Sequence, residues 1–287
     1  MSSVMEPLSG GVFSPETGGV PGQLLERVVE VVGEPGIRMG AGIVWDSEMV
    51  VTSAHVVHGR STRVRLPDGH VLTSRVVRRD RGRDLALLAC AGLAGATPVP
   101  VGDAGALRAG ALVLAVGHPL GHTGAVALGI VHRPQVRGPA GRHWIAADVR
   151  LAPGNSGGPL ADAEGRVIGV NSMVAGRLAL AVPGNAVVRF VAGQAAPRLG
   201  VTVHPVAVEH RHAPPVLGLL VIAIEPESAA ARAGFLAGDV IVRAADEPFG
   251  APGDLAGMLE EAGDRLAFDV VRRGHVRSVD VALRRAA

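Results

Sequence analysis

Lysine and tyrosine are absent from this 287-residue sequence, cysteine occurs once, and aromatic residues make up only 2%. A single cysteine excludes an internal disulfide framework and any Cys-based zinc site. Cys90 lies in the apolar run Leu85–Cys90 and reads as a buried, inert thiol. Without lysine, all 28 cations are Arg, against 26 acidic residues, for a formal charge of +2. Between the histidines and the arginines only Cys90 and the terminal amine titrate, so that small charge persists and the pI drifts up to 9.7. The high pI is therefore no sign of a basic surface, and the shortage of aromatics removes the stacking platforms that nucleic-acid binding needs. Neither a nucleic-acid partner nor a metal or other cofactor is expected.

Long apolar runs are missing too. No stretch reaches the 18 apolar residues of a membrane span. Met1–Leu25 has neither a basic leader nor an apolar h-region, so the expected compartment is the cytoplasm.

Glycine and proline, by contrast, are plentiful: Gly 40 and Pro 20. They punctuate short apolar runs such as Val28–Val32, Met49–Val51, Ala111–Val116, Trp144–Val149 and Leu178–Val182. About ten such runs occur without a long helix between them, the pattern of antiparallel barrels or sandwiches. Residues 1–24 read as a flexible tail and 193–197 as a linker. Asn185–Val191 has helical spacing behind an Asn cap. Beyond residue 198 the texture changes to a small α+β module with helices near 228–233 and 253–262 and a closing hairpin.

The strongest chemical signal is Ala152-Pro-Gly-Asn-Ser-Gly-Gly-Pro159. Glycines around Ser156 let backbone N–H groups approach a ligand, and a hydroxyl there can act as a nucleophile if a base accepts its proton. His55, in Thr52-Ser-Ala-His55, and Asp84, in Arg83-Asp84-Leu-Ala-Leu-Leu88, are candidates for base and orienting carboxylate. Taken singly, each reads better as an ordinary core or surface residue. Their order, His, Asp, Ser, is also the reverse of the Ser, Asp, His order of α/β-hydrolases.

Together these motifs resemble the chymotrypsin-like serine proteases, and most closely the HtrA/Deg family. Ala111–Pro119 resembles the family's "VLAIGNP" strand, Gly165–Asn171 the strand after the nucleophile, and Leu178–Pro183 the "GFAIP" segment walling the substrate pocket. The resemblance implies a mainly β chain: two antiparallel six-stranded barrels in a protease domain at 25–192. It implies His55 as base, Asp84 as its orienter, Ser156 as nucleophile, and an oxyanion site from Gly154, Asn155 and Ser156. Arg150, with Leu178, Ala179, Leu180 and Ala181, would line the substrate pocket. Arg150 either selects acidic side chains or points to solvent.

Pro226–Gly234 and Ala237–Ile241 resemble the "PxSPAxxAGLxxGDVI" run of the family's PDZ domains, placing such a domain at 198–287. Its carboxylate-binding loop would be Arg198, Leu199, Gly200 and Val201, and its partners peptide C-termini. The implied activity is endoproteolysis of unfolded or damaged polypeptides, with a proteolytically silent chaperone or peptide-binding scaffold as the alternative. Family resemblance also allows a cell-envelope location and a homotrimer, although the N-terminal segment offers only Phe13 as an aromatic contact. His118 with His122, His210 with His212, and Arg75–Arg83 read as solvated groups and not as metal or phosphate sites.

Overall fold

The short strands close on themselves twice. The computed structural model describes residues 19–33, 40–93, 97–119, 124–138, 142–194, 197–210, 213–262 and 264–283. One barrel consists of β1 (Val28–Val32), β2 (Gly40–Val44), β3 (Met49–Thr52), β4 (Ser61–Arg65), β5 (Val71–Asp80) and β6 (Leu85–Ala89), paired in the order β1-β2-β3-β6-β5-β4. The other consists of β7 (Leu112–Gly117), β8 (Ala125–Arg137), β9 (His143–Asp148), β10 (Pro159–Ala161), β11 (Val167–Ala175) and β12 (Leu178–Pro183), paired as β10-β11-β12-β9-β8-β7. All the pairings are antiparallel, and closure leaves neither sheet with an exposed edge.

Each barrel fills its interior with the inward residues of its strands. Val29, Val31, Val50, Val64 and Leu88 do so in the first, and Val113, Val131, Ile145, Leu160 and Ile168 in the second. Burying each such side chain contributes about 1.5–3 kcal/mol relative to leaving it in water. A further cluster joins the barrels: Ile43, Val51, Leu85 and Leu87 pack with Trp144, Val170, Val182 and Phe190. The two barrels therefore meet across an apolar seam.

Two expectations need correction. The end of the supposed tail is a helix, α1 (Val20–Leu25), because Leu24 is fully buried against Val28, Ala41, Val116 and Ala161. Helix α2 (Gly184–Val191) has Pro183 at its N-cap, and Asn185 already lies inside the first turn. Its buried face of Ala186, Val187 and Phe190 packs onto the inter-barrel cluster.

The C-terminal module is a sheet of β13 (Val201–His210), β14 (Ala213–Ile224), β15 (Val240–Ala244), β17 (Arg265–Arg272) and β18 (His275–Ala282), with β16 (Glu247–Pro248) pairing beside β15. Helix α3 (Ala229–Arg232) is capped by Ser228, whose Oγ accepts the Ala231 N–H at 3.1 Å. Helix α4 (Asp254–Glu261) completes it, and Phe268, Ile241, Leu219 and Phe235 fill its core. Ion pairs hold α4 and β16 against the second barrel: Arg142 to Glu260 at 2.9 Å and Arg137 to Glu247 at 3.0 Å. Among the described residues no helix is long and apolar enough to cross a membrane.

Candidate active site

The turn around Ser156 is built by steric demand. Gly154 has φ 110°, and a Cβ there would sit 2.2 Å from the His118 carbonyl oxygen. Gly157 has φ 87°, and a Cβ there would sit 2.2 Å from both the Ala41 carbonyl and Thr52 Oγ1. Neither position admits a side chain. The turn is then pinned to both barrels: the Ala41 N–H donates to the Ser156 carbonyl at 2.8 Å, and the Gly157 N–H to the Asn171 carbonyl at 2.8 Å. On the other side, the His118 N–H donates to the Gly154 carbonyl at 3.0 Å.

His55 follows β3 and Asp84 precedes β6, neighbouring strands of the first barrel. The two residues are locked together by three contacts. The His55 backbone N–H donates to Asp84 Oδ1 at 3.0 Å, and ring Nδ1 lies 2.9 Å from Oδ1 and 2.8 Å from Oδ2. An ionised carboxylate can only accept, so Nδ1 carries a proton, and in the neutral ring Nε2 is left with the lone pair. Asp84 holds this orientation from a left-handed backbone, φ 56°.

The second barrel contributes a residue that the sequence motifs did not single out. Ser172 of β11 donates its hydroxyl to Asp84 Oδ2 in a short contact across the seam. Burial pushes the Asp84 carboxyl up, but the hydrogen bonds from His55 and Ser172 outweigh burial and hold it below the usual carboxylate range. The Ser172 carbonyl, in turn, accepts the Ser156 hydroxyl at 3.0 Å. The nucleophile candidate therefore donates to β11 and not to the imidazole.

His55, Asp84 and Ser156 share one cavity of about 680 Å³, with Ser172, Met173 and Val174 on one wall and Leu151, Ala152 and Pro153 on another. Among the described residues, the amides of Gly154 and Ser156 donate to no protein acceptor, so both are free to bind an oxyanion. The Asn155 amide is not: it donates to the Ala152 carbonyl at 3.0 Å, and the buried Asn155 braces the turn from behind. Arg150 is exposed and outside the cavity, and Leu178, Ala179, Leu180 and Ala181 do not line it either. Ala179, Leu180 and Ala181 are buried in the second barrel, where β12 pairs with β9 and β11. The cavity-lining arginine is Arg81 instead.

Two outlying readings also change. His118 is not solvated but 3% exposed, while His122, Arg211 and His212 lie outside the described residues. The Arg75–Arg83 stretch is only partly solvated. Arg78 lies over the Phe190 ring at 5.9 Å and donates to the Val191 carbonyl at 3.1 Å, and Arg83 pairs with Asp80 at 3.1 Å. Cys90 is buried, as its apolar run suggests.

A second groove, about 370 Å³, runs between β13 and α4 of the C-terminal module. Arg198, Leu199, Gly200 and Val201 form one end of it, and Leu255 and Leu259 the helix side. Leu199 itself is buried in the core beneath, with Gly200 at φ 75° lifting the chain over it. Strand β13 is the sheet's outer strand, so its free edge can accept an added peptide strand.

Comparison with known proteins matches this geometry. Residues 40–170 match the family described as Trypsin-like peptidase domain, and residues 197–283 the PDZ domain family. Over 264 residues the sequence is 33% identical to the putative serine protease HhoA of Synechocystis, covering 81% of this chain and 67% of that protein. The chain belongs to the HtrA/Deg-type serine proteases.

Other HtrA relatives agree. Protease Do-like 1, chloroplastic, of Arabidopsis thaliana is 31% identical over 85% of this chain and 63% of its own length. Periplasmic serine endoprotease DegP of Escherichia coli is 29% identical over 88% and 58%. The chain thus spans about two thirds of the first of these HtrA proteins and less of the other two. Its fold matches that of the HtrA-type protease AlgW with decapeptide, at 22% identity and TM-score 0.65 over 96% of this chain and 99% of that one.

Proposed function

We propose that this HtrA-type chain is a serine endopeptidase acting on unfolded or damaged polypeptide through an acyl-enzyme. The observation that carries the reading is the shared cavity: a glycine-bounded serine, a carboxylate-held imidazole and two unengaged amides face the same space. In this reading substrate displaces the Ser156 hydroxyl from the Ser172 carbonyl, and one χ1 rotation brings Oγ to His55 Nε2. Nε2 takes the proton as Oγ attacks the scissile carbonyl, while Asp84 orients the ring and stabilises the imidazolium. The Gly154 and Ser156 amides hold the tetrahedral oxyanion. His55 returns its proton to the departing amine, and water then hydrolyses the ester by the same relay. No step calls on a cofactor.

The groove along β13 supports peptide C-terminus binding by the PDZ domain, as a partner site separate from the catalytic cavity. A relative named for the periplasm favours the envelope alternative over the cytoplasmic expectation, and cell fractionation decides between them. For the homotrimer, the aromatic candidate Phe13 lies outside the described residues.

Fluorophosphonate labelling with casein hydrolysis tests the catalytic reading. The wild type labels at Ser156 and cleaves casein, and Ser156→Ala does neither. Casein hydrolysis persisting at the wild-type rate in Ser156→Ala overturns the proposal. The Ser156-to-Ser172 hydrogen bond favours a second reading, a peptide-binding scaffold with its nucleophile turned away. A wild type that binds casein yet neither labels nor cleaves supports that reading instead.

A further inference from the structure

The arginines around the catalytic cleft are sorted by their partners. Arg83 is held by Asp80 and Glu260, and Arg142 by Glu260. Arg78 and Arg79 donate to backbone carbonyls of Val191 and Gly59. Arg81 has none of these. It stands on the turn between β5 and β6, exposed, with its side chain lining the catalytic cavity. The carboxylates next to it in the chain, and the one that pairs with its neighbour Arg83, are already committed: Asp80 to Arg83, Asp84 to His55 and Ser172, and Glu260 to Arg83 and Arg142. Among the described residues, Arg81 therefore keeps a guanidinium with no acid opposite it.

The remaining cavity walls offer no competing charge. Met173, Val174, Leu151, Ala152 and Pro153 are apolar, and the Asp84 charge is spent on the imidazole. A charged side chain of a substrate lying in this cavity thus meets one unbalanced field, a positive one. An Arg fork also suits a carboxylate geometrically, through two parallel N–H donors. Successive residues of an extended peptide advance about 3.3 Å, so a group lining the same cavity as Ser156 faces residues within about three of the scissile bond. The sequence had offered Arg150 for this kind of selection, but Arg150 lies outside the cavity.

Resting on the endopeptidase reading, we infer that Arg81 is a specificity determinant that favours substrates carrying Asp or Glu within three residues of the cleaved bond. The gain is that of a partly exposed ion pair, about two- to fivefold in kcat/KM, and it shrinks with added salt.

Internally quenched peptides test this, identical except for Glu, Gln or Lys placed in turn at each of the three positions on either side of the cleaved bond. Mass spectrometry fixes the bond in each case. At one position at least, the wild type prefers Glu over Gln by about two- to fivefold and Gln over Lys. Arg81→Glu inverts that order, and Arg81→Lys keeps its direction with a smaller ratio. Fluorophosphonate labelling shows that each variant retains a built site. A wild type cleaving Glu, Gln and Lys peptides equally at every position overturns the inference while leaving the protease reading intact. So does a Glu preference that survives Arg81→Glu. A wild type that cleaves no peptide at all overturns the protease reading and the inference with it.

Discussion

Glu260, on the helix that walls the peptide groove of the PDZ domain, lies 3.3 Å from Arg83 Nε, and Arg83 is the residue immediately before the catalytic candidate Asp84. The same carboxylate binds Arg142 of the second barrel at 2.9 Å and 3.1 Å in a two-pronged contact. One acidic side chain thus ties the PDZ domain to both sides of the protease domain. All three side chains are largely buried, so removing the carboxylate strands the Arg142 guanidinium and leaves Arg83 with Asp80 alone. A Glu260→Ala substitution is expected to lower stability by about 1–3 kcal/mol, in the range of a charged group losing its partner. Urea unfolding reads the loss directly. In a double-mutant cycle with Arg142→Ala the two effects are expected to be non-additive, because the second substitution removes the stranded charge.

Ser172 is expected to act on the reaction through Asp84. Its hydroxyl is one of two side-chain donors that hold the carboxyl down against burial. Ser172→Ala should lower kcat by about tenfold, the weight of one charge-assisted hydrogen bond, with KM for a short peptide changing less. The acid dependence of stability gives a second readout. Asp84 titrates lower folded than unfolded, so its stabilising contribution is present above the ordinary carboxylate range and is lost as pH falls through the folded value. Between pH 5 and 3 the wild type should therefore lose stability more steeply than Ser172→Ala, and the two curves should converge at the acid end. Parallel curves would mean that the Ser172 contact carries no weight.

What the sequence made legible follows from how local each constraint is. The turn at Gly154–Gly158 needs glycines because backbone from both barrels occupies the space of a Cβ, so steric necessity leaves a written mark. His55 and Asp84 stand at strand ends inside short, recognisable motifs. Ser172 sits one residue beyond the strand motif ending at Asn171, in a buried stretch where a serine has no local distinction; only the contact across the seam reveals it. Arg81 is one of several arginines in a row, and only the tertiary positions of Asp80 and Glu260 separate it from the others. Helix α1, with Pro21 and Gly22 in its first turn, has coil-like composition, and burial of Leu24 overrides it. Asn155 stands inside the motif, but the direction of its N–H depends on the turn closing onto Ala152.

Gly154→Ala separates the oxyanion turn from the fold. A methyl group at that position would meet the His118 carbonyl at 2.2 Å in a left-handed backbone region, so the turn must deform. The loss of one aligned oxyanion donor corresponds to about 100- to 1000-fold in kcat. Casein hydrolysis and fluorophosphonate labelling should fall together by that order. Far-UV circular dichroism should stay that of the wild type, because neither barrel core includes the turn. Full activity in Gly154→Ala would remove Gly154 from the proposed machinery.

His118 supplies a pH dependence of stability from the opposite class of group. Burial pushes its imidazole down, and the Glu30 charge nearby offsets this only in part. The folded protein therefore keeps His118 neutral at a pH where the unfolded chain already binds a proton. With more protons bound in the unfolded state, stability rises with pH across that window. It is complete above about pH 6.5, the ordinary histidine value, and is lost as pH falls from there toward the folded value. His143, also pushed down by burial, adds to the same slope. His118→Asn keeps the backbone N–H that holds the Gly154 carbonyl but removes the titrating ring. Its unfolding free energy, measured in urea at pH 7 and pH 5, should change with pH by visibly less than the wild type's. An unchanged slope would assign the acid sensitivity to His143 and the carboxylates alone.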